Sequence, residues 1–162
     1  LATESGVCPS FSKTVLVDVT APNISGASVR CYIILDEQST STFADPALFR
    51  AIHPEAPTSS YRVTTLSGLS TVHHGQTSRE FAVQGVGESA RFNLPWVVGS
   101  DFIPDTSAEA ASPRDVALFP HLAPFSANFA ERDPSAPVWL LIGRDAGAAL
   151  DSIPLSCTCP CA

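Results

Sequence analysis

Residues 31–43 read CYIILDEQSTSTF: an apolar, aromatic and β-branched run that stops at two adjacent acids, Asp36 and Glu37, and continues as a hydroxyl-rich tail. The run has the composition of a strand. Residues 14–19, TVLVDV, form a second such run, and the intervening APNISGAS has the composition of a turn. The two strands, 14–19 and 29–35, are therefore predicted to pair as a hairpin that brings Asp36 to the edge of a core. A strand that merely reaches the surface can end in this way. A carboxylate held at the rim of an apolar interior is also what acid–base chemistry requires.

Downstream, Asp45 stands where a helix N-cap belongs, Pro46 suits the first helical position, and Leu48, Phe49 and Ile52 share one face. A short helix is predicted there, stopped before Pro54. YRVTTL (61–66) and REFAVQ (79–84) read as two further strands. The small, hydroxylic SGLSTVHHGQTS between them reads as the mobile tip of a long hairpin. RFNLPWVVG gives another strand, with Pro95 marking an edge or a bulge. A helix is predicted to start near Pro113, followed by a short turn over residues 122–129. VWLLIG (138–143) is an apolar run of buried-strand length, and RDAGAAL after it reads as a short helix. Six or seven short strands, two or three short helices and no βαβ rhythm make a mainly β domain.

The totals agree with one globular unit. The chain has 162 residues, 44% hydrophobic and 15% charged, enough to bury a core. A net charge of −7 argues against nucleic acid or an anionic membrane as partner, since both select basic patches. No apolar run approaches the roughly 20 residues of a membrane span. The absence of Met and the start at Leu1 suggest an excised or processed segment, organised as an N-terminal extension (1–11), a domain (12–150) and a Cys-rich tail (151–162). Three of the five cysteines, Cys157, Cys159 and Cys161, are spaced C-x-C-x-C, which differs from the C-x₂₋₄-C pairs of zinc sites. Cys31 reads as a small core residue, which favours a reducing, intracellular (cytoplasmic) compartment. No metal site is expected.

An apolar strand ending in an acid, a hairpin with a Gly-containing tip, and a late apolar-apolar-Gly segment before a short helix together resemble the retropepsin-like aspartic proteases. ILDEQSTSTF, YRVTTLSG, NLPWVVGSDFIPD, SPRDVALFPHL and LLIGRDA follow the order seen in the protease domain of Bel/Pao-type retroelement polyproteins, and the resemblance covers residues 12–150. It implies a closed acid-protease barrel with a flap hairpin, working as a homodimer on a polypeptide substrate without metal or cofactor. Asp36 would be the catalytic acid or base, one from each subunit. Glu37, Gln38, Ser39 and Thr40 would form the substrate-side loop, and Thr65, Leu66, Ser67 and Gly68 the flap. Leu141, Ile142, Gly143, Arg144 and Asp145 would serve as scaffold beneath the acid loop and near the dimer interface.

The family pattern D-[T/S]-G-[A/S] is altered to D-E-Q-S. Glu37 replaces a hydroxyl that normally bonds across the twofold axis. Two such glutamates beside two aspartates would repel, so dimerisation and activity are expected to favour acid pH. Gln38 replaces a glycine and is expected to crowd or reorient the turn. The same fold without chemistry, used for dimerisation or peptide binding, is the alternative. His53, His73, His74 and His121 allow a Ser/His/Asp set on paper, but G-x-S-x-G is absent. The adjacent His73 and His74 would point to opposite faces of a strand, which does not suit one metal ion.

Overall fold

The computed structural model describes residues 11–147 with the exception of Ser25 and Leu66. Nine strands form one sheet: β1 Thr14–Thr20, β2 Ser28–Leu35, β3 Thr42–Ala44, β4 Thr58–Thr64, β5 Ser70–Ser78, β6 Ala82–Gly85, β7 Arg91–Asn93, β8 Val97–Gly99 and β9 Val138–Ile142. Their order is β4-β5-β8-β3-β9-β2-β1-β6-β7. Two short helices, α1 (Pro46–Ile52) and α2 (Pro113–Ala117), and 3₁₀ turns at Ser107–Glu109, Ala123–Asn128 and Arg144–Ala146 complete the described chain.

The mainly β class is as the sequence predicts. The sheet curls into a half-barrel and is not closed, because β4 and β7 remain as its two edges among the described residues. β1 and β2 form the predicted hairpin, in register from Thr14↔Ile34 to Thr20↔Ser28.

β9 lies between β2 and β3, which are consecutive in the chain. It runs parallel to β2 (Leu35↔Ile142) and antiparallel to β3 (Phe43↔Leu141). The segment 36–41 must therefore arch over the end of β9. This crossing is possible because the central strands are apolar on both faces, which is why VRCYIIL and VWLLI do not alternate. One face packs Val17, Val19, Cys31, Ile33, Leu35, Leu140 and Ile142 against Leu48, Phe49 and Ile52 of α1 and against Phe81. The Phe49 and Phe81 rings lie 4.9 Å apart. Leu16, Tyr32, Ala110, Ala136 and Val138 form a smaller cluster on the other face. A register shift opposite Tyr32 and Ile33, one residue wide at Trp139, turns Val138 to one cluster and Leu140 to the other.

α1 follows its capping chemistry. The Asp45 carboxylate accepts the Ala47 N–H at 2.7 Å, and Leu48, Phe49 and Ile52 are buried. The helix ends at His53, whose N–H bonds Phe49 O at 2.8 Å and whose buried ring meets Ser78 Oγ at 2.9 Å.

The long hairpin differs from its predicted form. Its arms are β4 and β5, paired from Thr58↔Gln76 to Thr64↔Ser70, so STVHHGQTS is a strand and the tip is only residues 65–69. REFAVQ does not pair with YRVTTL; residues 82–85 form β6 on β1 instead. The composition of 70–78 is poor in strand formers. Pairing of residues 70–76 with β4 and of Thr77 and Ser78 with β8 overrides that local preference. RFNLPWVVG splits at Pro95 into β7 and β8, which lie in different parts of the sheet. The short helix predicted over RDAGAAL opens as a 3₁₀ turn at Arg144–Ala146 and continues into Gly147 with helical dihedrals, and residues 148–150 lie outside the described residues.

Candidate functional site

Asp36 is the first residue beyond β2, and its N–H donates to Ile142 O at 2.9 Å, extending the β2–β9 pairing by one step. Its Oδ1 accepts the Gln38 N–H at 2.9 Å, and its carbonyl accepts the Ser39 N–H at 3.3 Å. Asp36 thus stands half-buried at the head of a tight turn. Glu37, Gln38 and Thr40 are exposed, and Ser39 is half-buried.

The turn is laced to the end of β9. Arg144 N–H donates to Ser39 O at 3.0 Å. Thr42 is fully buried, and both its N–H (3.1 Å) and its hydroxyl (2.7 Å) donate to the two oxygens of Asp145. The same hydroxyl accepts the Gly143 N–H at 3.2 Å. The loops pass so closely at Gly143 that a Cβ there would lie 2.4 Å from Ser41 O, below any tolerated contact. Leu141 is half-buried, and Ile142 and Gly143 are buried. Asp145 is a structural acceptor held on Thr42. The Arg144 side chain is exposed and makes no hydrogen bond or ion pair among the described residues.

Gln38 does not strain the turn. Among the described residues positive φ occurs only at Gly68 and Gly87, so residue 38 adopts a backbone conformation open to any side chain. The crowding expected from replacing glycine is absent within the protomer because the Gln38 side chain is exposed. Glu37 is ion-paired with Lys13, just before β1, and Lys13 O accepts the Leu35 N–H at 2.9 Å.

At the hairpin tip Thr65 O accepts the Gly68 N–H and Leu69 O accepts the Thr65 N–H, both at 2.9 Å, while the Thr65 and Ser67 hydroxyls lie 2.8 Å apart. Gly68 supplies the left-handed turn position, with φ of +79°. Leu66 lies outside the described residues. No hydrogen bond joins the tip to the acid loop among the described residues. The arms reach the site through rings: Phe43, leaving the acid loop on β3, meets Tyr61 at 5.9 Å, Tyr61 stacks on His73 at 5.6 Å, and His73 meets Phe102 at 5.3 Å. His73 is half-buried in this stack and His74 is exposed beside it on β5. No cluster of three or more His, Cys, Asp or Glu with metal-binding geometry occurs among the described residues. Cys157, Cys159 and Cys161 lie outside them.

Three residues of this constellation escape sequence reasoning. Ser41 and Thr42 look like their neighbours in QSTSTF, and only the crossing of β9 singles them out. Lys13 carries one signal, being the only lysine in the chain. No protein-family model matches the chain, and no curated protein matches it.

Proposed function

We propose that the chain is one protomer of a retropepsin-like aspartic endopeptidase that acts as a homodimer. The observation that carries this reading is the docking of the acid loop on LLIGRD: β2 and β9 run parallel, and Asp36 and Ser39 bond across to Ile142 and Arg144. That lacing supports a carboxylate held rigidly at the mouth of an apolar core, as acid–base work demands. One protomer contributes one such aspartate, so a twofold axis must bring its counterpart.

Two close carboxylates share one proton. The ionised member takes a proton from a water as its oxygen attacks the scissile carbonyl carbon, and the protonated member gives its proton to the carbonyl oxygen. Collapse of the tetrahedral intermediate breaks the C–N bond, and the amine leaves with a proton from the pair. The substrate is a polypeptide lying beneath the β4–β5 hairpin. The motif order supports an origin in a retroelement polyprotein or in a host gene derived from one.

The test is cleavage of a peptide library, or of the domain's own flanks, by purified protein. Wild type is expected to cut, and Asp36→Asn to lose at least about 10³-fold in rate. The exposed Glu37 and Gln38, at the rim where the family carries a hydroxyl and a glycine, favour a second reading: the fold retained for dimerisation or peptide binding. A wild type that dimerises or binds peptide without cutting would establish that reading and overturn the enzymatic one.

A further inference from the structure

The adjacent acids Asp36 and Glu37 pose a problem that the fold answers locally. β1 pairs with β2 from Thr14↔Ile34 onward, and Leu35 N–H bonds Lys13 O at 2.9 Å, so the backbone register itself sets Lys13 beside the head of the acid turn. The Lys13 ammonium is ion-paired with the Glu37 carboxylate. It is the chain's single lysine; the other eight of the nine basic residues are arginines. Around the turn the other charged groups are otherwise engaged or directed outward. Asp145 is held on Thr42, Asp36 accepts from Gln38 N–H, and the exposed Arg144 side chain makes no ion pair among the described residues.

We infer that Lys13 is a charge-compensating positioning residue for the acid loop, neutralising Glu37 so that two loops can meet at neutral pH. This rests on the homodimer reading of the site. In an isolated protomer an exposed pair of this kind contributes little, because water screens it. Its effect arises on association. Two loops meeting face to face bring four carboxylates together, and two lysines leave only the aspartate pair uncompensated. The remaining repulsion is what one shared proton relieves. Removing Lys13 leaves two bare glutamates in the approaching loops and makes association depend on protonating them.

The experiment is sedimentation velocity across pH 4–8 on the purified chain, comparing wild type with Lys13→Gln, Lys13→Arg and the double variant Lys13→Gln/Glu37→Gln. Folding of each is checked by circular dichroism. Wild type and Lys13→Arg are expected to dimerise through the neutral range. Lys13→Gln should dimerise roughly ten-fold more weakly at pH 7 and recover towards pH 4, and the double variant should recover at pH 7. A wild-type dimer with a Lys13→Gln profile superimposable on it overturns the inference and leaves the homodimer reading standing. A wild type that is monomeric at every pH overturns both. Failure of the double variant to recover at pH 7 also overturns the inference, because Lys13 would then act through something other than Glu37.

Discussion

Asp36 owes its place to a glycine a hundred residues away. Residue 143 passes against the backbone of Ser41, and the passage leaves no room for a methyl group. Gly143→Ala is therefore expected to lower unfolding stability by about 3 kcal/mol through overpacking, read as a drop in the urea midpoint at unchanged slope. No change in midpoint would show that the two loops can separate without cost. Thr42 works beside it by closing three hydrogen bonds in a buried position. Neither role is visible in the sequence, since a Gly after an apolar strand or a Thr in a hydroxyl run has many ordinary explanations. Cys31 was legible: a thiol within an apolar strand, fully buried, with burial pushing its pKa up to about 12. It stays protonated and unreactive near neutral pH.

Elements with local chemistry followed their sequence. Asp45, Pro46 and the Leu48/Phe49/Ile52 face specify α1 without outside help, and the serine–aspartate capping box of Ser112 and Asp115 does the same for α2. Asp45→Ala is expected to cost about 1 kcal/mol and to lower Tm by roughly 3 °C, whereas Asp45→Asn should stay close to wild type. Equal losses in both variants would mean that the carboxylate charge matters and its capping geometry does not. Beyond the first hairpin, elements defined by pairing differ from their sequence expectation. Residues 70–78 carry few strand formers and become a strand because 70–76 pair with β4 and 77–78 with β8; REFAVQ has the propensity, but its residues from Ala82 onward pair with β1, which sequence proximity does not suggest.

For the molecule as a whole, two acid-dependent effects oppose each other. Asp105, Asp115 and Asp133 each have a lowered pKa. The first cause in every case is a hydrogen bond from a nearby serine hydroxyl, Ser107, Ser112 and Ser135 respectively, followed by the backbone N–H of the same serine. Their folded-state values lie below the unfolded ones, so the unfolded chain binds protons more readily at low pH. The stabilisation is complete above about pH 4 and is lost as pH falls through the folded values. The urea midpoint should therefore be lower at pH 3 than at pH 6; an equal or higher midpoint at pH 3 would remove these turns as a source of acid lability. In the proposed dimer, association of the acid loops would run the other way, since repulsion between carboxylates weakens as they protonate. Dimer and fold should coexist best in the mildly acidic to neutral range.

Residues 14–35 and 138–143 carried their own answer. Continuous apolar runs of strand length can be stable only in the middle of a covered sheet, and turn residues bound them, so the mainly β class, the first hairpin and the Asp36 terminus were all readable in the chain. The insertion of β9 between two consecutive strands, the open edges of the curled sheet, the hydrogen bonds of Thr42 to Asp145 and the pairing of Lys13 with Glu37 were not. Each depends on contacts between segments far apart in the chain, where register and close approach select partners that composition and local propensity leave unspecified.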